Sequence, residues 1–218
     1  MRDTIILSDF DGTITKQDSN TLMIERYGNH LNHKLEQQFT SGEIGTREAM
    51  TGHFQNLTIS EREYDTFINQ EIEVDPGFPE FYTKLQAVGV PLVVISGGYT
   101  NAINVVLGRE GILPEAILAN TLVFTPDGIE NCFYHQQPDC IKQFGPCGNC
   151  KASHVQRYKN QYRKVIFIGD GLTDRCGAEH ADVVCAKGHL AEYCRENGFN
   201  YTEYEDFNDL LYLLEELR

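Results

Sequence analysis

Two aspartates separated by one residue, Asp9 and Asp11, stand near the start of the chain, directly after a short apolar run. In a loop, such a pair can turn both carboxylates toward one site, so that one attacks while the other donates or accepts a proton. A carboxylate that attacks phosphorus forms an acyl phosphate, which water then hydrolyses. The pair therefore predicts a carboxylate nucleophile with an acid/base beside it.

Two further polar clusters stand where apolar runs end, namely Ser96 with Gly97 and Asp170 with Asp174. In an open α/β sheet the carboxyl ends of the strands face one crevice, where ligands bind. Any one of these clusters alone is typical of an ordinary turn, since Asp and Gly are common turn formers. Their succession after separate strands instead predicts that they converge with the Asp9 loop in one site.

A site in which a carboxylate attacks a phosphate also requires positive charge. Attack by one anion on another needs charge neutralisation, which a hard divalent cation with oxygen ligands can supply. Asp170 is the obvious additional ligand. A lysine is needed to balance the remaining phosphoryl charge. Lys151, which begins a predicted helix just before the strand that leads to Asp170, is placed to do so, although a lone lysine on a helix is usually a solvated surface residue.

The elements that position these residues follow from hydrophobic patterning. Apolar, β-branched runs predict short buried strands at residues 4–8, 90–95, 165–168 and 182–185. Helix-period stretches lie between them, at residues 78–88, 99–109 and 151–162. The alternation predicts a doubly wound α/β fold, a parallel sheet with helices on both faces.

Residues 16–74 interrupt this alternation, because they contain no strong strand run and have the pattern of several consecutive helices. The turn at residues 75–77 (DPG) marks the return to the main domain. We therefore predict a helical cap subdomain at residues 16–74, inserted into a core domain formed by residues 1–15 and 75–218. A second excursion, residues 121–134, contains the hairpin signal Asp-Gly.

Composition limits the partners of the protein. The chain has 218 residues and a formal net charge of -14, which argues against nucleic acid because phosphate backbones are bound by clustered Lys and Arg. No signal-peptide pattern begins the chain, and no apolar run approaches the roughly 18 residues that cross a bilayer. We therefore expect no membrane partner, a cytoplasmic monomer or homodimer, and a small molecule as the ligand.

Seven cysteines without a secretion signal favour thiols or metal ligands over a disulfide framework. Cys147-x-x-Cys150 resembles half of a zinc knuckle, and Cys140 and His135 stand near enough in the chain to add ligands. No second CxxC is present. A structural zinc held by Cys140, Cys147 and Cys150 is therefore an open possibility beside the simpler one of packed thiols.

The strings DFDGTIT at residues 9–15, ISGG at 95–98 and GDGLTD at 169–174, together with Lys151, resemble the four motifs of the haloacid dehalogenase superfamily of phosphatases. They occur in the right order and span almost the whole chain. A helical cap between the first two motifs looks like that of the phosphoserine phosphatase branch. The resemblance implies a magnesium-dependent phosphatase that forms an aspartyl phosphate, with a cap that closes over the substrate and excludes water.

The resemblance also implies a role for each acidic motif residue. Asp9 would be the nucleophile and a magnesium ligand. Asp11 would be the general acid/base and would offer its backbone carbonyl to the metal. Asp170 would ligate magnesium, and Asp174 would support it from close by.

The remaining motif residues would bind the phosphate. Ser96 and the Gly97 amide would hold phosphate oxygens together with Lys151. Asp18 lies where phosphoserine enzymes carry a glutamate that recognises the substrate, but it is also placed to be a helix N-cap. Arg47 is a second possible substrate contact, or a member of a surface ion pair.

The substrate is less constrained than the reaction. The cysteine-rich approach to Lys151 looks less like that of phosphoserine phosphatases and more like that of two relatives, the phosphoethanolamine/phosphocholine phosphatases and the methionine-salvage phosphatases, which act on 2-hydroxy-3-keto-5-methylthiopentenyl-1-phosphate. The bacterial-style length without an extension favours the methionine-salvage type. Phosphoserine and phosphocholine/phosphoethanolamine phosphatases are alternatives. A phosphotransferase would use the same aspartyl phosphate, and a binding module would keep the fold without turnover, although the intact set of acidic residues counts against the last.

Overall fold

The computed structural model describes residues 2–135 and 145–215. Within them, seven strands form one sheet in the order β4-β3-β2-β1-β5-β6-β7. The strands are β1 (Arg2–Ser8), β2 (Leu92–Tyr99), β3 (Ala116–Thr125), β4 (Gly128–Cys132), β5 (Tyr162–Gly169), β6 (Val183–Ala186) and β7 (Thr202–Glu203). Neighbouring strands are parallel except β3 and β4, which form an antiparallel hairpin at one edge. The predicted α/β fold is confirmed.

The helices fall into two groups. Four follow one another between β1 and the rest of the chain, namely α1 (Ser19–Tyr27), α2 (His30–Ser41), α3 (Thr46–Gln55) and α4 (Glu61–Glu71). The others accompany the sheet, namely α5 (Phe78–Ala87), α6 (Thr100–Arg109), α7 (Lys151–Lys159), α8 (Arg175–Ala178), α9 (Gly188–Glu196) and α10 (Leu211–Glu215). In the described part of the chain, no helix is both long and apolar enough to cross a bilayer.

Strand β1 lies in the middle of the sheet, and its position decides where a ligand can bind. From β1 the chain moves outward through β2 and β3, and it later returns to the other side of β1 with β5. The connections therefore diverge at the carboxyl end of β1. In doubly wound sheets such a switch point opens a crevice between the connecting segments.

The sheet is buried on both faces, as expected for parallel strands covered by helices. Ile5 and Leu7 of β1 belong to one apolar cluster, whereas Ile6 points to the opposite face and belongs to the other. The first cluster contains Val155 of α7, and the second contains Phe81 of α5. Because each buried aliphatic or aromatic side chain contributes about 1.5–3 kcal/mol, these two layers make a firm base for the loops at the carboxyl ends of the strands.

The ends of the predicted cap lie next to each other. Thr15 and Val74 form an isolated antiparallel bridge, and the Lys16 N–H donates to the Glu73 carbonyl at 2.9 Å. Between these ends the helices have their own start signals, such as the capping box at the start of α4. The division into a cap and a core stays a prediction. It is supported by the close pairing of the two segments that connect residues 16–74 to the rest of the chain.

Helices α3 and α4 of the predicted cap pack against strands β2 and β3. The ring of Phe54 in α3 meets Tyr99 of β2 at 4.7 Å between centroids, and Tyr64 of α4 lies 5.6 Å from Phe124 of β3. Aromatic pairs at such distances add about 0.5–1.5 kcal/mol beyond burial. These two contacts join the predicted cap to the same side of the sheet as the hairpin.

Strands extend beyond their predicted limits, and the extensions of β3 and β2 bear on the site. Strand β3 begins at Ala116, and its first half pairs in parallel with β2, whereas the sequence analysis predicted only the hairpin. Strand β2 continues through Ser96 to Tyr99, with a register shift between Ile95 and Tyr99. Ser96 and Gly97 therefore lie in an irregular strand end that is fixed on one side by β3.

Candidate active site

The carboxyl ends of the three central strands bring the predicted site residues together. Ser8, the last residue of β1, is in register with Val94 of β2 and Ile168 of β5. The Asp9 N–H continues the pairing by donating to the Ile168 carbonyl at 2.9 Å. Residues that follow these positions, including Ser96 and Asp170, therefore leave the sheet at the same edge as Asp9.

Asp9 is held in one orientation. Its Oδ1 accepts a hydrogen bond from the Phe10 N–H at 2.7 Å, and its Oδ2 lies 2.7 Å from the Lys151 ammonium. The side chain is almost fully buried. Burial and the nearby Asp174 raise the pKa of Asp9 well above its ordinary value, against the opposite effect of Lys151. A carboxylate fixed at both oxygens in this way is positioned for attack but needs further positive charge to stay ionised.

Lys151 is the buried cation of the site. It is the first residue of α7, and its Nζ lies 2.5 Å from Asp174 Oδ1 and 2.7 Å from Asp9 Oδ2. Burial lowers the pKa of Lys151, but Asp174 and Asp9 outweigh it, so that the pKa is higher than that of a free lysine. The side chain therefore stays an ammonium and can hold a phosphoryl oxygen.

Three carboxyl groups form a candidate cation site. Ligand atoms of Asp9, Asp170 and Asp174 all lie within 4.8 Å of one another. Burial, followed by the charge of Asp174, raises the pKa of Asp170 to about 6. Three carboxylates with one lysine carry an excess of two negative charges, and a divalent cation with oxygen ligands matches this excess. The residues present therefore fit magnesium.

Within this cluster, Asp174 and Asp170 have different surroundings. Asp174 Oδ2 accepts from the N–H groups of Asp170 and Gly171 at 3.0 and 2.8 Å, while its Oδ1 binds Lys151. Asp170 Oδ1 accepts from the Thr13 hydroxyl at 2.5 Å. Asp174 therefore stabilises both the loop at residues 170–171 and the position of Lys151. Asp170 keeps its Oδ2 for a ligand.

Asp11 is set up to hold a proton. Its Oδ1 accepts from the Ser19 N–H at 2.8 Å, and its Oδ2 is buried without a hydrogen-bond partner. Burial, and then the charge of Asp18, raise the pKa of Asp11 to about 7. Near neutral pH this carboxyl can thus donate a proton in one step and accept one in another, as a general acid/base requires.

Ser96 and Gly97, which are predicted to bind phosphate, lie at the end of β2. The Ser96 hydroxyl accepts from the Gly98 N–H at 2.9 Å. A Cβ added to Gly97 would meet no atom within 4 Å, so there is open space beside this residue. At Gly98, by contrast, a Cβ would lie only 2.5 Å from Asp11 Oδ2. The backbone thus approaches Asp11 closely at Gly98 and leaves room for a ligand at Gly97.

Two asparagines that the sequence analysis did not identify fix this strand end. Asn149 Nδ2 donates to the carbonyls of Ser96 and Leu118 at 2.9 and 2.6 Å, and Asn120 Nδ2 donates to the Gly97 carbonyl at 2.7 Å. With these carbonyls engaged, the adjacent N–H groups can face the ligand. In the sequence, Asn149 is marked only by its place in CGNCK, two residues before Lys151.

The zinc prediction has no support. Among residues 2–135 and 145–215, the aspartate cluster is the only group of three or more potential ligands that come close together. His135 is engaged otherwise, since its Nδ1 accepts from the Cys150 N–H at 3.0 Å and its Nε2 lies 3.3 Å from the Ser153 hydroxyl. Cys147 is described but joins no such group, and Cys140 lies outside the described residues. Through its contacts with Cys150 and Ser153, His135 instead holds the loop that precedes Lys151 in place.

The two predicted cap contacts have structural roles. Asp18 is the N-cap of α1, where its side chain accepts from the Thr21 N–H at 2.8 Å. The Arg47 guanidinium lies 4.6 Å from the centre of the Phe133 ring and 3.4 Å from the His135 carbonyl. Their roles as substrate contacts stay predictions, and Arg47 joins the cap to the segment that follows the hairpin.

Known proteins with similar sequences and folds match nearly the whole chain. A family model described as haloacid dehalogenase-like hydrolase matches residues 6–179. A 2-hydroxy-3-keto-5-methylthiopentenyl-1-phosphate phosphatase from Bacillus pumilus is 32% identical over 213 residues, which cover 96% of this chain and 90% of the relative. Pdp3-interacting factor 1 from Schizosaccharomyces pombe is 27% identical over 219 residues, with 94% and 92% covered.

The fold agrees with these matches. A phosphoserine phosphatase from T. onnurineus, solved in complex with NDSB-201, superposes with a TM-score of 0.71 at 17% identity, covering 100% of this chain and 96% of the other. At that identity the superposition establishes the architecture alone. The sequence matches establish the relationship, and the reaction class that they support is phosphoric monoester hydrolysis. The chain belongs to the haloacid dehalogenase-like hydrolases.

Proposed function

We propose that the protein is a magnesium-dependent phosphatase that forms an acyl phosphate on Asp9, and that its substrate is 2-hydroxy-3-keto-5-methylthiopentenyl-1-phosphate. The observation that carries the mechanism is the buried contact of Lys151 with both Asp9 and Asp174, beside Asp170. The substrate is taken from the Bacillus pumilus relative, whose match covers both chains nearly completely.

In the first step, an Asp9 oxygen attacks phosphorus and the bond from phosphorus to the ester oxygen breaks. Asp11 donates its proton to that oxygen, so that the alcohol leaves in neutral form. Lys151, the Ser96 hydroxyl and the Gly97 N–H hold the phosphoryl oxygens as negative charge shifts among them. Asp9, Asp170 and the Asp11 carbonyl would hold magnesium, which supplies positive charge against the repulsion between the carboxylate and the phosphate.

In the second step, water attacks the phosphorus of the acyl phosphate. Asp11, now ionised, takes a proton from the water, and the bond between phosphorus and the Asp9 oxygen breaks to release inorganic phosphate. The pKa of Asp11 near 7 supports both roles, because neither protonation state is costly at neutral pH.

We also propose that residues 16–74 act as the cap over this site. Support comes from the Ser19 N–H, which binds Asp11 and so connects the first cap helix to the acid/base. For location and assembly we propose the cytoplasm and a monomer or homodimer. Cys132, Cys150, Cys185 and Cys194 are free thiols, which supports a reducing compartment.

The test is phosphate release with and without magnesium from a panel of esters, comprising the methylthiopentenyl phosphate, phosphoserine, phosphocholine, phosphoethanolamine and p-nitrophenyl phosphate. Asp9→Asn is the control for the nucleophile, and Asp170→Asn tests the metal site. We expect a clear preference for the methylthiopentenyl ester, no turnover by Asp9→Asn, and a higher magnesium requirement in Asp170→Asn.

Each part of the proposal can fail separately. Hydrolysis that prefers another ester would overturn the substrate alone. Turnover in the presence of a strong chelator would overturn the metal requirement. An inactive wild-type protein across the panel would overturn the phosphatase proposal, and phosphate passed to an added alcohol in place of water would indicate a phosphotransferase.

A further inference from the structure

Buried polar atoms without partners are concentrated at one place in the protein. In the described part of the chain, five buried side-chain oxygen or nitrogen atoms lack a hydrogen-bond partner. Three of them are Asp11 Oδ2, Ser19 Oγ and Asn20 Oδ1. An unsatisfied buried acceptor is costly, so such atoms call for an explanation, and a bound ligand is one.

Asn20 lies beside the atoms that would react. It is the second residue of α1, and the side chain is 9% exposed. The Cβ position of Gly98 is only 3.0 Å from Asn20 Nδ2, 2.5 Å from Asp11 Oδ2 and 3.2 Å from Ser96 Oγ. The Asn20 carboxamide, the proton-donating oxygen of Asp11 and the predicted phosphate-binding hydroxyl therefore surround one point of the backbone.

The first turn of α1 is fixed in this position from both sides. The Asp18 side chain caps the helix, and the Asp11 carboxyl accepts from the Ser19 N–H. The backbone that carries Asn20 is therefore the same backbone that orients Asp11. A buried carboxamide in such a place can select among substrates, because a mismatched substrate leaves its oxygen unpaired.

We infer that Asn20 determines substrate specificity by accepting a hydrogen bond from a hydroxyl group on the carbon next to the phosphorylated carbon. This inference rests on the proposed function. In the first step Asp11 protonates the ester oxygen, so that oxygen lies at Asp11 Oδ2. A hydroxyl on the adjacent carbon then lies next to the Asn20 carboxamide. The name of the proposed substrate places such a hydroxyl at carbon 2, beside the phosphate at carbon 1.

The experiment compares three esters in wild type and Asn20→Leu. They are the methylthiopentenyl phosphate, its analogue without the 2-hydroxyl, and p-nitrophenyl phosphate. For wild type we expect kcat/KM to fall by about 10- to 100-fold when the hydroxyl is removed, since a buried acceptor is then left unpaired. Asn20→Leu should lose this preference, so that the ratio of its kcat/KM values for the esters with and without the hydroxyl approaches 1 whatever its absolute turnover.

Two further variants separate recognition from folding. Thr21→Val, an exposed position on the same helix turn, is the matched control and should behave as wild type. Asn20→Asp keeps the shape and an accepting oxygen, so it should retain the preference for the hydroxyl even if overall turnover falls. Thermal melting of each variant shows whether the fold is intact.

The outcomes distinguish the inference from the function on which it rests. If Asn20→Leu keeps the preference, or loses activity equally on all three esters, the role of Asn20 is overturned and the phosphatase stands. If wild type hydrolyses p-nitrophenyl phosphate through Asp9 but shows no preference for the hydroxylated ester, the proposed substrate and the role of Asn20 both fail. If no ester is hydrolysed, the proposed function itself fails.

Discussion

His154 should make the stability of the protein depend on pH in a defined direction, and replacing it with glutamine tests this. The ring is buried, and its Nε2 lies 2.6 Å from Asn149 Oδ1. Because Asn149 Nδ2 donates to the Ser96 and Leu118 carbonyls, Oδ1 must accept, so His154 Nε2 carries a hydrogen. Burial, with the nearby charges of His135 and Arg157, lowers the pKa of His154 to about 4.

The magnitude follows from linkage. The ordinary histidine pKa is 6.5, so between pH 6.5 and about 4 the unfolded chain binds a proton that the folded protein does not. The contribution of His154 to the free energy of unfolding therefore falls as the pH is lowered through this window. At 1.36 kcal/mol per pKa unit, we expect this contribution to fall by about 2 kcal/mol from pH 7.5 to pH 5.

The assay is urea unfolding of wild type and His154→Gln at pH 7.5 and pH 5. Glutamine is neutral and its amide can still donate to Asn149, so the stability difference between the two proteins should move by about 2 kcal/mol in favour of the variant at pH 5. The aspartates with raised pKa values are present in both proteins, and their opposite contributions cancel in the difference. His189→Gln, an exposed position, is the matched control. Parallel stability curves for wild type and His154→Gln would refute the reasoning.

Two other substitutions test the close approach of β2 to Asp11 and the attachment of the cap. Gly98→Ala would place a methyl group 2.5 Å from Asp11 Oδ2, so kcat/KM should fall by about 100-fold with the fold retained. Gly108→Ala, which has open space around its Cβ, is the control and should leave kcat/KM unchanged. An active Gly98→Ala variant would argue against this geometry. Arg109 donates to two carbonyls at the carboxyl end of α4, at 2.5 and 2.9 Å. Arg109→Met should therefore lower the free energy of unfolding by about 1–2 kcal/mol in urea titrations, and a change below about 0.3 kcal/mol would show that these hydrogen bonds contribute little to stability.

The sequence contains enough information to predict the reacting groups. Asp9, Asp11 and Asp170 each lie within a few residues of the end of an apolar run, and the carboxyl ends of parallel strands lie on one edge of the sheet. The helices of the predicted cap and their start signals are likewise local features, because a capping box or a helical period is complete within one segment. These predictions needed no knowledge of which strands are neighbours.

Other parts of the site depend on the order of strands in the sheet. Asn149 acts on Ser96 and Leu118, residues 53 and 31 positions away in the chain. These contacts exist because β3 pairs with β2 and because the segment before α7 crosses their ends. No period or motif encodes such a contact, since an amide can serve any carbonyl that the fold brings near it.

The same reason separates Asn20 from the motif residues. In the sequence, Asn20 is an ordinary polar residue in the first turn of a helix, and the N-cap signal belongs to Asp18. Only tertiary structure places it against Gly98 and Asp11 and leaves its oxygen buried without a partner. The sequence by itself therefore determined which residues are candidates for the chemistry, because such groups follow local strand and turn patterns. Tertiary structure decided which polar groups lie beside them, because burial and hydrogen-bond satisfaction are properties of segments that meet only in the folded chain.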